Sequence, residues 1–447
     1  MPLVHIIGAG LAGLSAGVEL AKAGHQVQLW EQAVRAGGRC RSFHDAALDC
    51  VIDNGNHMLL SGNRSAMAYL QTIGAEDRLI GPDAARFPFL DVRNGNRWTI
   101  APNSGKLPWW MFSRHRRAPG TSAFDYLAGL RLLNADATST VSEVLKVDAA
   151  VMELYWEPLV VAVLNAPPDT AAAILLKPVL LEIFAQGAAA SRPRIARHGL
   201  SDTFIDPALE YITDRGGNIR HGSRLLSLDR DGDRVTGLTF ARETVALNPG
   251  DQVVLSVPPT VASDLLPGLT VPDAFAPIVN AHFRLDHPIM IQDDMPVIGI
   301  VGGTAQWIFL RDDVASVTVS AAEALADSPA ETVAEAVWRD VAMALSMASA
   351  PLPRWRIIKE RRATFAQTPA QIARRPGSRT AYANLVLAGD WTATGLPATI
   401  EGAIRSGATA AANVLSTNLG QLDKFAATIK SNSSHTDELA SRVEGRR

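Results

Sequence analysis

Cysteine is scarce in this 447-residue chain: Cys40 and Cys50 are the only two. Two are too few for a disulfide framework, and they lack the spacing and histidine companions of a zinc site. No metal is expected, and a reducing cytoplasm is the expected compartment. Charge excess is missing too. The 42 basic and 45 acidic residues leave a formal −3, whereas nucleic-acid binding needs a concentrated basic surface, so nucleic acid is not expected as a partner. Long apolar runs are also absent. The two most apolar stretches, 158–166 and 171–190, are broken by proline or by Lys177 and Glu182, short of the roughly 20 clean residues of a spanning helix. The first strand starts at Leu3 and runs straight into glycines, which leaves no room for a secretory leader, and none is expected.

What the chain does contain begins with a βαβ pattern. Leu3–Ile7 reads as a short buried strand, Leu11 to Ala23 as a helix ending at Gly24, and Gln26–Trp30 as a second strand. Strands are expected again over 217–229, 234–240, 252–257 and 385–388, with a helix over 399–415. The fold class is therefore α/β, a Rossmann-type dinucleotide-binding domain. Residues 1–75, 199–259 and 355–415 would form it discontinuously. Residues 76–198 and 260–354, helical or mixed, would form an inserted α+β substrate domain. Residues 416–447 lose their apolar periodicity and are read as a largely disordered tail.

Gly8-Ala9-Gly10-Leu11-Ala12-Gly13 is G-x-G-x-x-G placed after a strand and opening a helix, where missing side chains let backbone amides reach a pyrophosphate. Glu31, at the end of the second strand, has the chemistry to accept the hydroxyls of an adenosine ribose and to repel a 2′-phosphate. Gly37-Gly38-Arg39 follows, a flexible backbone joined to a fixed cation that suits a diphosphate. NAD-dependent Rossmann dehydrogenases do not need this second element.

Together these motifs resemble the two-dinucleotide-binding flavoprotein superfamily of amine oxidases and phytoene desaturases, which implies FAD. The far end agrees. Gly389-Asp390-Trp391, then Thr399-Ile400-Glu401-Gly402 and Ser406-Gly407, is similar to that superfamily's closing flavin motif. The resemblance gives Asp390 the ribityl chain and aims the helix starting near Thr399 at the flavin's pyrimidine edge, where the helix dipole stabilises an anionic reduced flavin. As plain structure, Asp390 would be a turn residue and Glu401 a first-turn carboxylate; the functional role is adopted for Asp390 and the structural one for Glu401.

Three further segments narrow the resemblance: 52–63 (Ile-Asp-Asn-Gly-Asn-His-Met-Leu-Leu-Ser-Gly-Asn), 156–165 (Trp-Glu-Pro-Leu-Val-Val-Ala-Val-Leu-Asn) and Leu107-Pro108-Trp109-Trp110. They are similar to the squalene-associated FAD-dependent desaturase family over residues 1 to about 415. That likeness implies reductive removal of the allylic hydroxyl of the C30 isoprenoid hydroxysqualene, hydride passing from N5 of the reduced flavin to the allylic carbon, in bacterial squalene and hopanoid biosynthesis. Only one dinucleotide fingerprint is visible, so the electrons would come from a separate reductase or a free reduced pyridine nucleotide.

Such a reaction needs an acid to help water leave. Asp53 and His57 lie in the loop that the resemblance returns toward the flavin ring, as proton donors, substrate hydrogen-bonding groups or structural hydrogen-bonding groups. Glu157 beside Trp156 would stay protonated if buried, or would merely start a helix before Pro158. Trp156 and Trp110 would face a developing cation or serve as core. The run 107–117 combines Trp109, Trp110 and Phe112 with Arg114, Arg116 and Arg117. It reads equally as a contact with the membrane interface and as a buried aromatic cluster beside a solvated arginine turn. The rival activities are a carotenoid-type desaturase or isomerase, an amine oxidase and a non-catalytic prenyl-lipid carrier.

Overall fold

A computed structural model describes residues 2–291 and 295–417. Its first layer is a five-stranded sheet, all parallel, in the order Asn218–Arg220, Gln26–Trp30, Leu3–Ile7, Gln252–Leu255, Leu385–Leu387. Parallel strands covered on both faces read as continuous apolar runs. Val4, Ile6, Val253, Val254, Leu255 and Leu387 are accordingly sealed from solvent. On one face lie the helices Leu11–Lys22 and Asp206–Asp214 together with a closing helix, 400–417. The other face is covered by an antiparallel meander, Leu225–Asp231, Arg234–Phe240 and Thr244–Ala246. There Trp30 stacks on Phe240 with ring centres 4.2 Å apart.

The second layer is a seven-stranded sheet. Its strand order is Arg354–Phe365, Phe275–Arg284, Val314–Ser320, Trp307–Arg311, Val297–Val301, Phe87–Asp91, Arg97–Ile100. All its pairs are antiparallel except Val297–Val301 with Phe87–Asp91. Side chains alternate across a strand, and this sheet uses both faces. Val279, Ala281, Phe283, Val317 and Val319 pack under the helix Ala330–Ala344 through Val337, Trp338 and Val341. Asn280 and His282, with Ser316 and Thr318 opposite them, turn the other way toward the loop after residue 50.

Two expectations need correction here. The expected cofactor segment 355–415 opens inside the strand Arg354–Phe365, which pairs along its length with Phe275–Arg284 and belongs to the second sheet. The charge-rich sequence Arg-Trp-Arg-Ile-Ile-Lys-Glu-Arg-Arg hides the strand because it forms one edge of that sheet, with most of its residues partly or fully exposed. The expected tail begins too early, since 416 and 417 still belong to the closing helix; the remainder, 418–447, lies outside the described residues.

A helical cap of short segments between 123 and 190 completes the fold around Leu132, Val141, Leu145, Trp156, Val160 and Leu164. Trp156 is a core residue here. It is 2% exposed, its indole donates to the Asp125 carbonyl, and a side chain on Gly129 would strike its ring at 2.6 Å.

Candidate functional site

The glycine-rich turn, 8–13, joins the middle strand to the first helix. At Gly13 an added Cβ would sit 2.0 Å from the Gly8 carbonyl oxygen, so no larger residue lets helix and turn approach this closely. At Gly10, the N-cap, an added Cβ would meet nothing within 4 Å, and no side chain caps the helix. The first amides of a helix have no partner inside it. Leu11, Ala12 and Gly13 therefore offer N–H groups and the positive end of the dipole to the open space over Gly10. The Gly37 amide donates to the Ala9 carbonyl at 2.8 Å, which sets the second glycine pair directly against the first.

Glu31 is buried at the end of its strand, and each of its oxygens accepts one backbone amide, from Ala9 and from Ala33, both at 2.8 Å. A carboxylate has about four acceptor positions, so two amides leave capacity for sugar hydroxyls. Arg39 reaches across the site to Asp390: one guanidinium nitrogen lies 2.8 Å from each carboxylate oxygen. The Arg39 side chain is still 46% exposed while Asp390 is nearly buried, so the cation keeps donors for an anion. Asp390 holds the Arg39 pKa above its ordinary value against the opposing effect of burial.

The closing segment is built as the sequence implies at its helix start. Thr399 caps the helix, its hydroxyl accepting from the Gly402 amide at 3.1 Å, and Ile400 is the first helical residue. The Gly389 amide donates to Ser406 Oγ at 2.6 Å, folding the turn back on the helix. Glu401 has a structural task. It accepts the amides of Ser65 and Ala66 at the start of the helix Arg64–Thr72 and pairs with Arg405 at 2.9 Å. It caps a neighbouring helix rather than only its own.

The candidate acids part ways. Asp53 is buried and fully engaged: it accepts from Ser42 Oγ at 2.6 Å and from the Leu200 amide at 2.9 Å, and pairs with Arg311 at 2.8 Å. A carboxylate whose oxygens are committed in this way positions its surroundings. Half-buried His57 forms no hydrogen bond through its ring among the described residues, and its Nε2 would lie 3.8 Å from a Cβ added at Gly55. Burial pulls its pKa down to about 4, with Asp53 opposing that and Arg39 adding to it, so the ring is neutral at pH 7. Glu157 is not in the site. It is exposed in the first turn of the helix Glu157–Leu164, because Trp156 takes the inward direction and the next residue points roughly 100° away. Burial and the neighbouring Glu153 and Asp169 raise its pKa, but the apolar enclosure required of a buried acid is missing.

Several contributors escaped the sequence reading. Asn280 accepts from Asn56 and from Thr318 Oγ1 and donates to the Asn54 carbonyl, tying the second sheet to the loop that carries His57. Ser256 bonds the carbonyls of Ile7 and Gly8 beneath the glycine turn. Arg375 is buried against the 390–396 turn, and burial lowers its pKa to about 10, with Asp390 opposing, so it stays a cation at neutral pH. None belongs to a local motif, so no spacing in the sequence could have marked it.

These residues fit a flavin dinucleotide on the structure's own terms: an uncapped helix start with open space above Gly10, an acid with spare acceptors at the sugar position, and a half-exposed arginine paired to the closing aspartate. The flavin containing amine oxidoreductase model matches residues 11–415. The chain is 44% identical over 413 residues to the hydroxysqualene dehydroxylase of Sinorhizobium fredii, covering 92% of this chain and 98% of that protein. It is 46% identical over 414 residues to the hydroxysqualene dehydroxylase of Rhodopseudomonas palustris, with the same coverage. Among solved structures, cyclohexylamine oxidase from Brevibacterium oxydans superposes with a TM-score of 0.66 at 16% identity, covering 92% of this chain and 98% of that one, a likeness of fold. With the match running from the glycine-rich turn into the closing helix, the chain belongs to the flavin containing amine oxidoreductases, alongside its hydroxysqualene dehydroxylase relatives.

Proposed function

We propose that this protein is an FAD-dependent oxidoreductase that converts hydroxysqualene to squalene. The observation that carries the reading is identity of 44% and 46% to proteins of that name over nearly their whole length, joined to an intact dinucleotide cradle. In the overall change an allylic C–O bond breaks, a C–H bond forms and the hydroxyl leaves as water with one added proton. FAD, when bound in its reduced form, supplies the hydride. The amides of Leu11, Ala12 and Gly13 with Arg39 would hold its diphosphate, Glu31 its adenosine ribose and Asp390 its ribityl chain. Gly8, Gly10, Gly37, Gly38 and Gly389 shape the backbone around it, and Thr399 and Ile400 present the start of the closing helix.

Of the candidate acids we assign the substrate contact to His57, a reading supported by its partly exposed ring, which is uncommitted among the described residues. As a neutral imidazole it donates one hydrogen bond to a leaving hydroxyl, while Asp53, locked by Arg311, Ser42 and Leu200, fixes the base of its loop.

The proposed substrate is an almost insoluble isoprenoid alcohol, and an exposed apolar patch supports its collection from a lipid surface. No helix among the described residues is long and apolar enough to cross a membrane. Leu107, Trp109, Phe112 and Phe124 nevertheless stand 53–80% exposed near one another, with Arg116 stacked over Trp109 at 4.9 Å and Arg114 exposed beside them. We assign this patch to a peripheral membrane contact. Trp110 is not part of it: it is 5% exposed and packs edge-on against Tyr126.

The test is anaerobic incubation of the photoreduced holoprotein with hydroxysqualene, following flavin absorbance and squalene together. Reoxidation matched by squalene is the expected result. An unchanged spectrum without squalene, in flavin-loaded protein, would overturn the reading. A more unsaturated product formed from squalene by the oxidised protein would favour the desaturase rival.

A further inference from the structure

The turn between Gly389 and the closing helix is irregular backbone, yet buried: Asp390, Trp391, Thr392 and Leu396 are all below a tenth exposed. Buried carbonyls outside helix and sheet need donors. Arg375 supplies them from one side chain. Its Nε donates to the Thr392 carbonyl at 2.9 Å, Nη1 to the Leu396 carbonyl at 2.8 Å, and Nη2 to the Asp390 carbonyl at 3.0 Å and to Thr394 Oγ1 at 2.9 Å. The guanidinium lies over the Phe365 ring at 5.2 Å. Eight residues earlier, fully buried Gln367 completes the grip. Its amide oxygen accepts the Ala398 amide at 2.8 Å, and its amide nitrogen donates to the Leu164 carbonyl at 2.7 Å. The segment 367–375 thus holds the turn from its first residue to the one before Thr399, and ties it to the end of the helix Glu157–Leu164 in the cap.

A rigid planar fork with five donors matches several carbonyls at fixed angles in a way that a lysine ammonium cannot. The backbone of Asp390 is held by Arg375 and its carboxylate by Arg39. The orientation of that carboxylate is therefore determined by two arginines, of which the glycine-rich motifs mark only one.

We propose that Arg375, seconded by Gln367, is the positioning residue of the flavin site: it imposes the shape of the 390–398 turn, and with it the placement of Asp390 and of the closing helix start, without touching FAD. The inference rests on Asp390 being a flavin-holding residue, and the experiment separates the two.

FAD release from holoprotein on dilution would be timed by recovery of flavin fluorescence for wild type, Arg375→Met, Arg375→Lys, Asp390→Asn and the Arg375→Met/Asp390→Asn double variant, with thermal melts of each. Arg375→Met is expected to release FAD at least tenfold faster, Arg375→Lys to fall between it and wild type, and the double variant to be little worse than Arg375→Met, since both act through one carboxylate. Release unchanged in Arg375→Met and Arg375→Lys while Asp390→Asn is fast would overturn the positioning role. Unchanged release in Asp390→Asn would instead remove the flavin role of Asp390 itself. If Arg375→Met does not fold, Gln367→Leu and Arg375→Lys decide. Either one releasing FAD faster at an unaltered melting temperature supports the proposal, and wild-type release in both overturns it.

Discussion

One guanidinium nitrogen of Arg39 sits 2.8 Å from both carboxylate oxygens of Asp390, across 351 positions of sequence. The pair closes the cofactor cradle, joining the glycine pair that follows the second strand to the turn that follows the last strand of the parallel sheet. Because Arg39 stays half exposed while Asp390 is almost buried, the pair is oriented, with the aspartate as anchor and the arginine open to the diphosphate that the proposal assigns to it.

Replacing Arg39 should therefore cost cofactor more than fold. Arg39→Ala is expected to weaken FAD binding by about 1.5–3 kcal/mol, the range of a hydrogen bond to a charged group, with Arg39→Lys costing less. Equilibrium titration of stripped protein with FAD measures it. Equal affinity for Arg39→Ala and wild type would remove the diphosphate role.

Glu157 provides the opposite kind of test. An exposed carboxylate in the first helical turn helps that turn only slightly, since surface substitutions away from special features fall within about 0.5 kcal/mol. Glu157→Gln is expected to keep kcat within about twofold and to leave the pH profile of squalene formation unmoved. A loss of a hundredfold or more would return Glu157 to the list of acids.

The strand–turn–helix chemistry of the flavin domain was legible because it is local. Gly8, Gly10, Gly13 and Glu31 sit at spacings set by one βαβ unit, and Thr399 announces its helix as an N-cap. The second sheet was not legible in the same way. Its strand 354–365 is charged because it is an edge, and its inward polar face, Asn280 and His282, acquires meaning only from partners far along the chain. Burial decides the remaining cases. Trp110 and Trp156 are core while Trp109 is surface, and nothing in the sequence run 107–112 tells Trp109 from Trp110. Glu401 reads from sequence as a first-turn carboxylate of its own helix, but the Ser65 amide it accepts, in the first turn of another helix, lies 336 residues earlier.

His282 predicts an acid sensitivity of the fold. Its ring is sealed from solvent, Nδ1 is 2.8 Å from Ser316 Oγ, and Nε2 has no hydrogen-bond partner among the described residues. Burial lowers its pKa from 6.5 to about 4, Asp53 opposing and Arg311 adding to the effect. The unfolded chain takes up its proton first as pH falls, so this contribution to stability is complete above about pH 6.5, shrinks between 6.5 and 4, and is gone below. The shift is worth roughly 3 kcal/mol across that window. His282→Gln, which keeps a partner for Ser316, is expected to lose less stability between pH 7 and pH 4.5 in urea unfolding than wild type. An equal loss in both proteins would mean that His282 does not carry the effect.

The exposed aromatic patch yields the last prediction. Leu107, Trp109, Phe112 and Phe124 expose apolar surface that the fold does not use, beside arginines that each add about 1 kcal/mol on an anionic surface. Binding to vesicles containing anionic lipid should therefore combine salt dependence with an apolar component that survives high salt. Trp109→Ser, Phe112→Ser and Phe124→Ser together are expected to reduce flotation with such vesicles at least tenfold, while turnover of detergent-dispersed hydroxysqualene stays within about twofold, because none of the three lines the cofactor cradle. Flotation unchanged in the triple variant would show that the patch does not meet the membrane. Loss of turnover in detergent as well would place it on the substrate path inside the protein.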